Sequence, residues 1–138
     1  MPQNPFLVAT KTVTSSVYLF DMSRHDSKPP PDGKCMPDLI LTGHENEGYG
    51  LAWSPVKEGL LISGSDDKQI CLWDINATTK QSKELAAKQI FKKHTNVVED
   101  VAWHLRHEYM FASVGDDNKL IVWDTRKGKD SYWSPRGM

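Results

Sequence analysis

Shifted by fifty residues against itself, the sequence aligns His44–Asp74 with His94–Asp124 without a gap, and ten of those 31 positions are identical. The matches fall on residue types that rarely coincide by chance. They include His44 with His94, Trp53 with Trp103, Ser63 with Ser113, Asp66-Asp67 with Asp116-Asp117, and Trp73-Asp74 with Trp123-Asp124. Self-similarity at such a period confines the chain to a repeat architecture, in which each unit buries its apolar face only against a neighbouring unit. Inside each copy the apolar runs are short and bounded by turn residues: GYGLAWSP, GLLISGSDD and QICLWD, then VVEDVAW, YMFASVGDD and KLIVWD. Runs of that length and spacing read as strands.

Upstream, FLVATKTVTSSVYLFD lies on LLISGSDDKQICLWD with one extra turn residue, Phe20-Asp21 standing where Trp73-Asp74 stands. This is a third, degenerate copy without its opening strand. The loop from His25 to Pro37 carries Lys28-Pro29-Pro30-Pro31-Asp32-Gly33, which suits an exposed connection and excludes ladder hydrogen bonds. A further strand is expected around Ala87 to Phe91, with a short helix over KQSKELAAK as the competing reading. The organisation is then a partial first repeat with the Pro-rich loop over 1–42, a complete repeat over 43–92, a partial third repeat over 93–126, and a divergent tail over 127–138 expected to be disordered.

Composition narrows the partners. The 17 basic and 18 acidic residues give a formal net charge of -1, so no global positive field draws the chain to nucleic acid phosphates. No run approaches the roughly 18 apolar residues of a membrane span, and the first residues lack the pattern of a secretory leader. Two cysteines, Cys35 and Cys71, are too few for a disulfide framework or a four-ligand zinc site and are expected as reduced thiols.

The repeated polar residues match the hydrogen-bond network of WD repeats: His44, Ser63, Asp67 and Trp73 in one copy, His94, Ser113, Asp117 and Trp123 in the next. An imidazole, a carboxylate, a hydroxyl and an indole N–H are each costly to bury, and mutual pairing makes burial tolerable. Ser, His and Asp also make nucleophilic triads. A duplicated set is expected of structural glue, however, and no G-x-S-x-G elbow surrounds either serine. The His104-x-x-His107 spacing hints at a metal, but no Cys or acidic partner recurs with it. The expectation is therefore an all-β, open WD40 β-propeller of about two and a half blades of four-stranded antiparallel sheet, with no catalytic residues, metal or cofactor. Such rings close with about four to eight blades. A chain this short leaves open edges, so it is expected to be a piece of a longer protein or to need a partner.

Longer stretches resemble one branch of this group: MPQNP with ATKT, the run from Phe20 to Pro29, EGYGLAWSP, SDDKQICLWDINAT, VVEDVAWHLRHE and DDNKLIVWDTR. These are similar to the histone-binding family shared by chromatin assembly factor, deacetylase and polycomb complexes, the retinoblastoma-binding or multicopy-suppressor-of-IRA type, and most of all to its plant members. The resemblance implies a nuclear scaffold whose upper face holds the amino-terminal tail of histone H3, with Glu47, Tyr49 and Glu99 at matching positions. The family's histone H4 site, built with an amino-terminal helix and a late blade, has no counterpart in this sequence. Partners would be histone H3 and subunits of chromatin complexes, with no direct nucleic acid and no membrane contact. Trp123-Asp124-Thr125-Arg126 also fits the WD-x-R pattern of cullin-RING ligase substrate receptors, in which Arg126 would dock an adaptor.

Overall fold

A computed structural model describes residues 1–34, 36–79, 81–127 and 132–133; Cys35 and most of the tail after Lys127 lie outside that set. The described residues are all-β. In chain order the strands are β1 (Leu7–Lys11), β2 (Val17–Asp21), β3 (Leu39–Thr42), β4 (Leu51–Trp53), β5 (Leu60–Gly64), β6 (Ile70–Asp74), β7 (Glu84–Ala86), β8 (Gln89–Phe91), β9 (Val98–Trp103), β10 (Met110–Gly115), β11 (Leu120–Asp124) and β12 (Tyr132–Trp133). They build three four-stranded sheets in the orders β1-β2-β3-β7, β4-β5-β6-β8 and β12-β11-β10-β9. The three sheets are successive blades of an open, partial propeller.

Repeat register carries over from blade to blade. Leu61 faces Trp73 and Ser63 faces Cys71 in the second blade, while Phe111 faces Trp123 and Ser113 faces Ile121 in the third. Val8 facing Phe20 and Thr10 facing Tyr18 put the degenerate first copy in the same frame, but without the extra turn residue expected from the sequence: the hairpin Leu7–Asp21 is as long as Leu60–Asp74, and Phe6 lies before the strand. The aspartate that ends each third strand has a local task. The side chains of Asp21, Asp74 and Asp124 each accept the backbone N–H two residues on, at 3.0 Å, and turn the chain into a single 3-10 turn.

Two apolar layers join the blades. Val17, Leu19, Leu39 and Leu41 of the first pack on Leu61, Cys71 and Trp73 of the second. On the opposite side of that blade, Leu60, Ile62, Ile70, Leu72 and Phe91 pack on Val101, Trp103, Phe111, Ile121 and Trp123. Burial follows from this sandwich. All five residues of β5 are buried, whereas β10 alternates between buried and partly exposed positions, and so does β2 up to Phe20. A strand with one covered face must alternate, because successive side chains point to opposite faces.

The segment expected to hold one strand or a short helix instead holds two short strands in different sheets. β7 runs parallel to β3, and β8 runs antiparallel to β6. Free edge groups of two adjacent blades capture the backbone here. Ile40 donates to the Lys83 carbonyl (2.8 Å) and Ala87 to Thr42 (3.0 Å), after which Lys88 donates to Leu72 (2.8 Å). A helix would leave both edges open, which outweighs the modest helical propensity of KELAAK. In the tail, Tyr132 and Trp133 pair with Trp123 and Val122, giving the third blade a fourth strand; residues 128–131 and 134–138 of the segment expected to be disordered are outside the described set.

Candidate functional site

The buried polar network is most complete in the third blade. Asp117 Oδ2 lies 2.9 Å from His94 Nδ1, His94 Nε2 lies 2.7 Å from Ser113 Oγ, and the Trp123 indole N–H donates to that hydroxyl at 2.9 Å. Asp117 also accepts the backbone N–H groups of Thr95 and Lys119. Burial pushes its carboxyl up, but the hydrogen bonds from Thr95, His94 and Lys119 outweigh it and hold the group below its ordinary value. With Nδ1 carrying its proton toward the carboxylate, Nε2 is left to accept from the serine hydroxyl.

These three groups have the distances of a nucleophilic triad, yet the third blade seals the nucleophile. Ser113 is 1% exposed and its oxygen already receives the indole proton. An acyl acceptor needs an approach path as well as a base, and Trp123 stands in it.

The second blade departs from the expected four-residue set. His44 Nδ1 lies 2.9 Å from Asp67 Oδ2, and Nε2 lies 3.0 Å from Ser63 Oγ, as in the third blade. Trp73, however, donates its indole N–H to the Thr42 backbone carbonyl at 2.9 Å and not to Ser63. The place it would take is filled by Lys11 from the neighbouring blade. The Lys11 ammonium donates to Ser63 Oγ at 2.7 Å, to the Gly50 carbonyl at 3.3 Å and to the Gly64 carbonyl. Sequence reasoning passed over Lys11. Its one signal is a cation in ATKT at a position where the complete repeat has Gly64.

Burial lowers the Lys11 pKa to about 8 against the pull of Asp67. The unfolded chain therefore keeps this proton up to about pH 10.5 while the folded chain releases it from about pH 8, so this group makes stability rise with pH across that window. Lys11→Met should remove that rise: urea midpoints at pH 7 and pH 9.5 should converge on a smaller difference than in the parent chain. Equal pH dependence in both proteins would show that the ammonium is solvated.

Of the sequence-level binding residues, Glu47, Tyr49 and Glu99 are all exposed, Tyr49 to 79%. Two hydrogen bonds bring their segments together. Asp66 donates its N–H to the Glu47 carbonyl at 2.9 Å, and Val98 donates to the Ser65 carbonyl at 3.1 Å, so both segments abut the Ser65–Asp66 turn. Glu99 is pushed up by a hydrogen bond and charge repulsion from Asp116, then by slight burial and by Asp66. Asp66 and Asp116 are rim residues that sequence reasoning saw only as repeat identities. Their signal lay in the doubled aspartate: the second member of each pair is turned inward to histidine, leaving the first for the surface.

Arg126 is held in place. Its Nη2 lies 2.9 Å from Asp124 Oδ2 and its Nε 3.2 Å from Oδ1, with the guanidinium 4.6 Å above the Tyr109 ring. His104 and His107 are exposed, and His104 Nδ1 accepts the backbone N–H groups of Arg106 and His107, so one ring nitrogen is engaged in the loop. Cys71 is fully buried, and burial raises its thiol to about 12. No helix among the described residues is long and apolar enough to cross a membrane.

The family model described as "WD domain, G-beta repeat" matches residues 31–74 and 86–124, more than half of the chain. The chain belongs to the WD40 repeat family. Both matched segments carry a histidine–aspartate–serine set, and each ends at the Trp-Asp pair, Trp73-Asp74 and Trp123-Asp124. The network of this WD40 chain is thus the device that fixes blade register, and WD40 chains in general serve as interaction scaffolds. On the exposed rim, the Asp66 N–H meets the Glu47 carbonyl, and Asp116 and Asp66 both act on Glu99.

Proposed function

We propose that this WD40 chain is a non-enzymatic scaffold that holds the amino-terminal tail of histone H3 on its acidic rim, working in the nucleus within chromatin assembly, deacetylase or polycomb-type complexes. The observation that carries the reading is the convergence of Glu47 and Glu99 on the Ser65–Asp66 turn, beside an exposed tyrosine. Carboxylates so placed suit a basic, extended peptide, since guanidinium and ammonium groups form charge-assisted hydrogen bonds with them and a tyrosine ring covers the aliphatic stem. The hydrogen bond with Asp116 and the repulsion from it push Glu99 up, and a cation set between the two carboxylates opposes both effects. The specific partner comes from the sequence resemblance. The adaptor-docking reading of Arg126 gains no such support, because Asp124 already takes two of its donors.

The test is a fluorescence anisotropy titration with an unmodified H3 tail peptide at low salt. Exposed charge pairs contribute about 0.2–1 kcal/mol each, and hydrogen bonds to charged groups more. Glu47→Ala with Glu99→Ala should therefore weaken binding by about tenfold or more. Binding should also fall as pH drops through the raised range of Glu99, because protonation removes the charge the peptide meets. An affinity unchanged by the double substitution, or matched by a scrambled peptide of the same charge, would sink the H3 reading while leaving the scaffold fold untouched.

A further inference from the structure

We infer that Lys11 is a positioning residue for the acidic rim: from the neighbouring blade its ammonium props the Glu47–Gly50 segment and so sets where Glu47 and Tyr49 stand. This role rests on the histone-tail proposal only for the identity of the peptide. An ammonium has three N–H donors and no acceptor. Lys11 directs them to three acceptors of the second blade, Ser63 Oγ at 2.7 Å, the Gly50 carbonyl at 3.3 Å and the Gly64 carbonyl. These acceptors belong to the framework that carries the rim. The Gly64 N–H donates to the Gly50 carbonyl at 3.0 Å and the Asp66 N–H to the Glu47 carbonyl at 2.9 Å, while the Ser65 hydroxyl lies 2.8 Å from the carbonyls of both Asn46 and Glu47. Tyr49 is therefore flanked on one side by Gly50, which Lys11 holds directly. On its other side is Gly48, where an added Cβ would fall 3.1 Å from Lys11 Nζ and 2.5 Å from the Gly64 carbonyl oxygen.

Comparison of the two junctions shows that packing alone does not account for a cation here. Lys11 stands in the first blade where the second has Gly64, and fifty residues after Gly48 the third blade has Val98. Between the second and third blades the later blade thus supplies the bulk: a Cβ on Gly64 would lie 2.6 Å from a Val98 methyl carbon. Between the first and second blades the arrangement is inverted, with Lys11 on the earlier blade and Gly48 on the later. An apolar side chain fills the gap at one junction without desolvating a charge, whereas the other holds an ammonium whose burial is unfavourable unless its donors are paired. What the ammonium adds is its bonds to the backbone under the rim. Burial lowers its pKa to about 8 while Asp67, Cys71 and Asp66 pull the other way, and Asp67 is itself held 2.9 Å from His44 Nδ1. A neutral amine keeps two donors for three acceptors, so the prop should loosen as pH rises through that value, in the same range where release of the proton stabilises the fold.

The experiment compares the 138-residue chain with Lys11→Met at pH 7 and pH 9.5, by amide exchange followed residue by residue without peptide, by urea unfolding, and by anisotropy with the unmodified H3 tail peptide. At pH 7 the Gly64 and Asp66 N–H groups should exchange faster in the variant. The Asp116 N–H, which makes the equivalent bond to the Val97 carbonyl in the third blade, should not change. Peptide affinity should fall roughly three- to thirtyfold, the range for substitutions that act on a site without touching its ligand. The urea midpoint at pH 7 should not fall with it, because a buried charge has been removed. By pH 9.5 the two affinities should converge, the peptide's own titration being common to both proteins. Gly48→Ala, which retains the ammonium but crowds it, should weaken the peptide as well and repeats the test should Lys11→Met not fold. Unchanged exchange at Gly64 and Asp66, an affinity at pH 7 equal to the parent's, or exchange that quickens equally in all three blades would each overturn the role. Faster exchange confined to the rim, with a parent chain that binds no H3 peptide, would uphold Lys11 as the prop and sink the histone reading alone.

Discussion

Replacing Asp117 by alanine should cost the fold about 3–5 kcal/mol, the range for removing one partner of a buried charged network. The side chain is 3% exposed. Its loss strands the buried His94 Nδ1 and removes the acceptor of the backbone N–H groups of Thr95 and Lys119. Against a total stability of about 5–15 kcal/mol, that loss should leave the third blade unfolded under mild denaturant. Acid should expose the same dependence. The folded carboxyl titrates below its unfolded value of about 3.9, so its contribution is present above that pH and disappears as pH falls through the lowered folded value. Urea unfolding followed by tryptophan fluorescence measures both. A loss below about 1 kcal/mol, with the acid dependence of the parent chain retained, would mean that the network is not under tension from burial.

Phe91→Ala should be of similar size for a different reason. Phe91 is fully buried at the end of β8, with its ring 5.1 Å from those of both Phe111 and Trp123, edge-on to each. It is the wedge between the second and third blades. Truncation to alanine removes its apolar area and leaves a cavity between two rigid sheets, a combination that costs about 3–5 kcal/mol, with the lost edge-to-face contacts part of that sum. Because the void lies at a junction, hydrogen exchange should quicken first in β9 to β11 and last in β2. Uniform acceleration across all three blades would show that the junctions are not separable units of stability.

Local pattern carried much of this fold. The fifty-residue shift placed β4 to β6 of the second blade and β9 to β11 of the third because strand alternation and turn chemistry act within ten residues of each other, whereas β12 fell in a tail expected to be disordered. The third-blade network was legible for the same reason: His94, Ser113, Asp117 and Trp123 sit at spacings that a hairpin brings together. The second-blade network was only three-quarters legible. Lys11 reaches Ser63 across 52 residues and a blade boundary, and no spacing rule within the repeat encodes an intruder from its neighbour. The split of 84–91 between two sheets was hidden too, since three-residue strands carry almost no periodicity and take their conformation from the edges they meet. On the rim, Glu47, Tyr49 and Glu99 were identified by resemblance. The approach of Glu47 to Asp66 and of Glu99 to Asp116 depends on tight turns that pass through left-handed residues, Lys68 and Asn118, which no repeat spacing encodes.

The parallel pairing of β3 with β7 sets how the chain should respond to being pulled. β3 enters the second repeat and β7 leaves it, so stretching the ends draws the start of β3 and the finish of β7 in opposite directions along their common axis. The bonds of Ile40 to Lys83 and Ala87 to Thr42 are then sheared together and not peeled in sequence. Residues 43–82 therefore stay out of the covalent line of pull until that clasp slips.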